Sequence, residues 1–352
     1  MGLNINYLFT QLLKYRNPDL TVSFARGLIG LGAFLLVGDG FVFGVATIRY
    51  KDISIELSNG LAWACWVGLF LVVVGIAVGV IRVITLNRKM TGILIQHRGM
   101  EGMEVVPADS ALPKSFSNGR LDTIELFAGG QIENGEVFRP ESAIKAILGI
   151  PDQLQSRLGG SSSSDVQLAY AGLAPIPLLV LAGYMVSSRK PCLVLDFVRG
   201  KGWHGLDSPD DNEQLVMHAP TLDCLNEVAL VCGLSVPISL AQLPESLKNS
   251  VYWIELEQGA RADSLSSEAK QIRLCHVIYN FLSSLKQIQK DLKVVHIFIA
   301  AQASFCFRMG TIISASVHPE VRVYQYDPAS SAYSWGVSIK NGVDPSVIGR
   351  PR

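Results

Sequence analysis

Residues 293–327, KVVHIFIAAQASFCFRMGTIISASVHPEVRVYQYD, decide the fold class. Val294 to Ala300 is a short apolar run with β-branched residues, bounded by small ones, which is the pattern of a buried strand. Ser304 opens an apolar segment of helical length that closes on the small residues Ser314 to Ser316. Val321 to Asp327 is a second run of strong β-formers. Strand, tight loop, helix and strand make half of a Rossmann-like unit, and such units take ligands beyond the strand's carboxyl end. Here that end is Ala300-Ala301-Gln302-Ala303-Ser304.

Residues 167–198, QLAYAGLAPIPLLVLAGYMVSSRKPCLVLDFV, repeat the arrangement. Ala174 and Gly183 stand nine residues apart, as do Ala301 and Gly310, and a tryptophan follows each second strand, Trp203 and Trp335. The pattern predicts a divergent internal duplication. The alternative is that any two βαβ pieces share this much.

At these residues the chain resembles the SAVED family. AYAGLAPIPLLVLAG paired with VHIFIAAQASFCFRMG and followed by VYQYD is similar to that domain. The resemblance implies two fused CARF-like Rossmannoid halves that bind a cyclic oligonucleotide. With the apolar segments in front of it, the whole chain looks like a two-transmembrane SAVED effector of bacterial CBASS antiphage systems. Such an effector senses a cyclic di- or trinucleotide, forms a homo-oligomer or filament, and disrupts the lipid bilayer.

The segments in front are legible on their own terms. Residues 27–48 and 61–81 are long apolar stretches, and the second carries no charge. At about 1.5 Å per residue, either is long enough to cross the hydrocarbon. The short, twelve-residue loop between them, Arg49 to Gly60, makes them a hairpin. Lys14, Arg16 and Arg26 precede it, and Arg82, Arg88, Lys89 and Arg98 follow it, against Arg49 and Lys51 in the loop. The positive-inside rule then places both termini in the cytoplasm, and the resemblance implies a bacterial inner membrane.

Gly40 with Gly44, and Gly75 with Gly79, form G-x-x-x-G pairs, read either as helix association or as ordinary membrane glycines. Asp39, at mid-span, lines an oligomeric pore or is protonated against a neighbouring helix. Residues 4–16 put Ile5, Leu8, Phe9, Leu12 and Leu13 on one helical face. That face lies in the headgroup plane or packs on the protein's own soluble domain.

The expected architecture is therefore a membrane-anchored α/β chain. It has an amphipathic segment over 1–26, a two-helix hairpin over 27–85, and CARF-like halves over 86–215 and 216–352. The polar run Ser208 to Gln214 is expected to separate the halves. Residues 99–137 read as loop-rich with no clear helical period, and Pro151 should bend or break a helix that opens at Pro140. Residues 268–289 carry the strongest helical period, through Leu274, Val277, Ile278, Phe281, Leu282, Leu285 and Ile288, with Ser267 placed to cap.

Lys plus Arg equals Asp plus Glu at 30 each, so no polymeric nucleic-acid partner is expected. Six cysteines without C-x-x-C spacing suit a reduced compartment. The sequence has no Walker A loop, nucleophile elbow or H-E-x-x-H helix, and its six histidines are isolated. No metal, cofactor or catalytic residue is expected, and binding is favoured over catalysis. The competing reading is a membrane-tethered Rossmann-like enzyme acting on nucleotides.

A cyclic oligonucleotide needs backbone N–H groups at a helix start, a cation for phosphate and flat side chains for bases. Tyr170, Gly172, Leu173, Ala174 and Pro175 form one candidate loop, with close ligand approach at Gly172. Ala301, Gln302, Ser304, Phe305 and Arg308 form the other, Arg308 being the phosphate ligand. Tyr170 and Phe305 are the stacking candidates, the latter against a plain core role. Arg199, Lys201 and Tyr324 to Tyr326 are candidates for the border of the same surface.

Overall fold

The computed structural model describes residues 23–34, 58–89, 91–99, 107–117, 120–127, 132–133, 136–137, 140–158, 166–187, 191–198, 200–220 and 225–349. The chain divides into two compact units, Met1–Lys89 and Met90–Arg352.

In the first unit, helix α1 (23–34) lies against helix α2 (Ser58–Lys89). A β-carbon on Gly32 would stand 2.6 Å from the Gly68 carbonyl oxygen, and one on Gly75 3.0 Å from that of Ala25. The two contacts run in opposite senses along the chain, so the helices are antiparallel. Ala25 and Gly32, like Gly68 and Gly75, are seven residues apart, which puts each pair on one stripe. Small residues on that seam let the backbones touch. Away from it Leu31, Phe34, Trp66, Phe70, Val73, Ile76 and Ile81 are exposed.

Gly75 is therefore used inside the pair, whereas among the described residues nothing lies within 4 Å of a β-carbon on Gly79. The expected span 61–81 falls within α2, and the first expected span is described only over 27–34. Asp39, Gly40, Gly44 and the segment 4–16 lie outside the described residues. Among the described residues no helix is long and apolar enough to cross a membrane.

The second unit is built on two sheets. Its first strands are β1 (Thr91–Arg98) and β2 (Arg120–Phe127), with the short helix α3 (Lys114–Ser117) between them. The small hairpin β3 (Ile132–Glu133) and β4 (Glu136–Val137) follows, then α4 (Pro140–Leu148), α5 (Ile150–Leu158), β5 (Val166–Leu173), α6 (Ile176–Ser187), β6 (Cys192–Val198) and β7 (Gly202–His204). Then come β8 (Leu215–His218), β9 (Glu227–Gly233), β10 (Val251–Leu256), α7 (Glu268–Ile288), β11 (Val294–Ala300) and α8 (Ala303–Thr311). Strands β12 (Glu320–Asp327), β13 (Ala332–Lys340) and β14 (Val343–Ile348) complete the unit.

The first sheet has the order β2-β1-β5-β6-β7, parallel except at β7. The second runs β14-β13-β12-β11-β9-β10-β8, and its β10, β9, β11 and β12 are parallel. Counted by appearance, the parallel strands have the order 2-1-3-4 in both sheets. In both, an antiparallel strand follows the fourth (β7 after β6, β13 after β12). A shared topology of this length supports duplication over chance likeness. The central strands β1 and β11 are buried along nearly their whole length. That explains their continuous apolar runs, since parallel strands are covered on both faces.

Helices α6 and α8 pack together between the halves. A β-carbon on Gly183 would collide with the Phe307 carbonyl, and one on Gly310 with that of Val180. The main core is continuous across the crossing: Ile93 and Tyr170 from the first sheet join Leu179, Phe307, Ile297 and Val323.

Several expectations are corrected here. Residues 99–137 are not all loop, because β2 pairs with β1 from Arg120 to Phe127. The helix at Pro140 does break, at Gly149, and Pro151 falls in the first turn of α5 where its missing N–H costs nothing. Helix α7 is capped as expected, Ser267 Oγ accepting from the Lys270 N–H, but Val277 and Ile288 are exposed.

The segment Ser208 to Gln214 is no free connector. Asp210 accepts from Arg273 at 2.7 and 2.8 Å, Lys270 donates to Asp211 and Glu213 at 2.7 Å each, and Arg261 pairs with Glu213 at 2.8 Å. Arg273 holds the Asp210 carboxyl at about 2. Burial pushes Glu213 upward, but hydrogen bonds from Arg261 and Lys270 outweigh it and bring it to about 2.

Candidate functional site

In a 2-1-3-4 sheet the connections reverse between the first and third strands, and a crevice opens at their carboxyl ends. In the second half those strands are β9 and β11. The chain leaves β9 through Gly233, where a β-carbon would sit 3.2 Å from both the Ile238 nitrogen and the Val236 oxygen. The N–H groups of Leu234 and Ser235 both donate to the Ala300 carbonyl, at 3.0 and 2.8 Å.

A cavity of about 470 Å³ opens beside this knot. Ser235, Val236 and Gln242 line it from the loop after β9, Ala300 and Ala301 from β11, and Tyr326 and Trp335 from β12 and β13. The first half contributes Pro175 and Ile176, at the start of α6.

The halves are tied by reciprocal caps. Gln325, near the end of β12, accepts the Ile176 N–H at the start of α6 (2.9 Å). Asp196, near the end of β6, accepts the Ser304 hydroxyl and the Gln302 amide at the start of α8, both at 3.0 Å. The fourth strand of each half thus holds the helix start of the other. Burial pushes the Asp196 carboxyl up, partly offset by the Phe197 N–H and the Ser304 hydroxyl.

The structure scatters the sequence-predicted residues. Pro175 and Ala301 come together in the cleft. The Leu173 carbonyl accepts the Gly99 N–H at 2.8 Å, and Ala174 is buried against Gly99. Gln302 and Ser304 are engaged by Asp196; Gln302 also accepts the Leu265 N–H, and Ser304 the Gln271 amide, both at 2.8 Å. The stacking expectation for Tyr170 is corrected: it is fully buried, stacked on Phe307 at 3.7 Å, with its hydroxyl 2.8 Å from His97 Nδ1. Gly172 is small for the Tyr170 ring, which occupies the place of its β-carbon, rather than for a ligand.

Phe305 is core, the other half of the alternative read from the sequence. The Arg308 guanidinium bonds Gln271 at 2.9 Å and pairs with Glu268. It lines a second cavity, of about 540 Å³, together with Cys192 and Thr311, and not the cleft. Tyr324 is buried with its hydroxyl 3.0 Å from His296, Lys201 is exposed, and Arg199 lies outside the described residues.

Sequence reasoning missed Ser235, Gln242 and Gln325's capping role, and read Trp335 only as a repeat marker. The usable signal was Gly233: once the second half's first strand is found, the residues after it are the switch point.

Among the described residues no group of three His, Cys, Asp or Glu side chains could hold a metal. Burial pushes the Cys232 and Cys275 thiols up to about 12, so neither is a ready nucleophile.

Two fused Rossmann-like halves with a crevice at a switch point define a ligand-binding class of fold. A family model described as SAVED, "SMODS-associated and fused to various effectors sensor domain", matches residues 150–339. That is more than half of the chain, and the chain belongs to this family.

It is similar to the structure of the Acinetobacter baumannii Cap4 SAVED/CARF-domain containing receptor with the cyclic trinucleotide 2'3'3'-cAAA. The identity is 14% and the TM-score 0.47, over 78% of this chain and 57% of that one. The Moraxella osloensis Cap4 receptor is similar at 12% identity and a TM-score of 0.41, over 83% of this chain and 57% of that one. The chain thus spans less than two thirds of the length of these relatives. No curated protein matches it.

Proposed function

We propose that this chain is a bacterial inner-membrane effector of antiphage defence. Its SAVED domain binds a cyclic oligonucleotide, self-associates and drives disruption of the bilayer. The observation that carries the reading is the cleft at β9 and β11. It belongs to a sensor-domain family and is built by both halves, Pro175 and Ile176 meeting Ser235, Ala301 and Trp335. A ligand there touches the junction that Gln325 and Asp196 brace, so binding can bias how the halves sit.

The membrane part of the reading is supported by the first unit. Its antiparallel helices close on small residues and carry large apolar side chains outward, which suits lipid around them and not water. The basic flanks orient both termini and the SAVED domain to the cytoplasm. A filament is the proposed active form, since dissimilar halves in one chain present different faces and associate head to tail.

The test is calorimetric titration of the full chain in lipid nanodiscs with cyclic di-, tri- and tetranucleotides. One of them is expected to bind and to raise light scattering. Ile176→Arg, which puts a long charged side chain into the cleft, is expected to abolish both. Absence of binding by all of them overturns the receptor reading.

A further inference from the structure

We propose that the cleft between β9, β11 and β13 receives one uncharged nucleobase with its sugar, and that the ligand's phosphates stay outside it. The proposal rests on the receptor reading above and specifies which part of the ligand enters.

Among the described residues no Lys, Arg or His lines the cleft. Its carboxylate, Asp327, already accepts the Ala329 N–H at 2.9 Å, the Ser330 N–H at 3.1 Å and the Ser330 hydroxyl. A phosphodiester entering here would lose water, meet no cation and approach a carboxylate. Burying an unpaired charge is among the costliest events in a protein.

The cleft does offer flat apolar surface and neutral hydrogen-bonding groups. Tyr326 and Trp335 supply rings, and Pro175, Pro237 and Pro328 supply apolar walls. Any base can stack on a ring, because every base has a π-face. Two polar groups can read a base or sugar edge. Gln242 has its carbonyl oxygen engaged by the Ser239 N–H at 2.8 Å, which leaves its amide hydrogens for a partner.

Ser235 Oγ is the second, and among the described residues it is buried without a hydrogen-bond partner. A buried hydroxyl in that state is costly, and a ligand atom supplies the missing partner. Ser235 stands at the switch point itself, its backbone fixed by the bond to Ala300, and rotation about χ1 turns a hydroxyl with no bond to lose toward a ligand in the cleft. We therefore assign Ser235 as a specificity-determining residue and Trp335 as the stacking platform.

The experiment uses the full chain in nanodiscs, labelled with 5-fluorotryptophan. The chain has five tryptophans, and Trp335→Phe identifies the resonance of interest by its loss. The probes are adenosine, guanosine, cytidine, uridine and inorganic phosphate. At least one nucleoside is expected to shift the Trp335 resonance saturably, and phosphate is expected to leave it in place. Ser235→Ala should weaken that nucleoside about three- to tenfold, the loss of one neutral hydrogen bond, without lowering the urea midpoint.

A shift by phosphate with none by nucleosides overturns the proposal, as does an unchanged affinity in Ser235→Ala. If a cyclic oligonucleotide binds but no nucleoside moves Trp335, the base pocket falls and the receptor reading stands. If nucleosides bind and no cyclic oligonucleotide does, the pocket stands and the receptor reading falls.

Discussion

Gly183 and Gly310 face each other at the crossing of α6 and α8, each occupying the space where the other helix's backbone needs room. A β-carbon on Gly183 would lie 3.0 Å from the Gly310 α-carbon, and one on Gly310 2.9 Å from the Tyr184 nitrogen. The two collisions are reciprocal: Gly183 meets the carbonyl three residues before Gly310, and Gly310 the carbonyl three residues before Gly183. The two halves thus meet across an approximate two-fold axis through this point. Gly183→Ala and Gly310→Ala should each destabilise the domain by about 3 kcal/mol, because backbone and not a flexible side chain must move. Urea unfolding followed by circular dichroism measures this; a midpoint within error of the parent would contradict the crossing.

Lys270 is almost wholly buried between Asp211 and Glu213. Lys270→Met leaves the buried Glu213 carboxylate with Arg261 and the Gln258 N–H, without the buried cation, and should cost about 3 kcal/mol. Adding Glu213→Gln should recover part of the loss. A double-mutant cycle in the same unfolding assay reads the coupling.

The clamp also predicts an acid limb. Asp210 and Glu213 both titrate at about 2 in the folded chain, below ordinary carboxylates, so the unfolded chain binds protons first as pH falls. Their stabilising contribution is complete at neutral pH and is lost as pH drops from the ordinary carboxylate range toward 2. Arg273→Leu removes the partner of Asp210 and should flatten the dependence of the urea midpoint on pH over that window.

Gln325→Leu removes the acceptor for the Ile176 N–H. A lost helix cap of this kind costs about 1 kcal/mol. Because Ile176 lines the cleft, ligand affinity should fall as well, while a surface change such as Lys145→Ala on α4 should leave it unaltered. Calorimetry compares the two.

In the first unit, Gly75→Leu should separate α1 from α2, whereas Gly79→Leu should not, since its β-carbon position is open. Thermal unfolding of the full chain in detergent is expected to shift only for Gly75→Leu. Dye uptake by cells then asks a separate question of Gly79→Leu: a leak that persists shows that this face is not where spans of different chains meet.

The order of strand, loop, helix and strand at 293–327 was legible because buried parallel strands are short continuous apolar runs rich in β-branched residues, bounded by small ones. The repeat was legible at Gly183 and Gly310 because two backbones in contact tolerate no side chain. β2 was not legible: RLDTIELF lies at the sheet's edge and mixes charge with apolar residues, so its period is weak. Nor was the clamp, because SPDDNEQ has the composition of a solvated loop until Lys270, Arg273 and Arg261 are brought to it.

Most of the site was decided by tertiary structure. Composition and spacing on their own determined two Rossmann-like halves, the glycine pair, the capped helix α7 and the apolar helix-length stretches near the start. These are local or periodic properties, set by residues close in the chain. Which residues face the cleft depends on how two halves more than a hundred residues apart meet. That meeting turned Tyr170, Phe305 and Arg308 into structural residues and left Ser235, Tyr326 and Trp335 beside Pro175 and Ile176. Burial and partner exchange between distant segments carry no periodicity, so only the folded chain shows them.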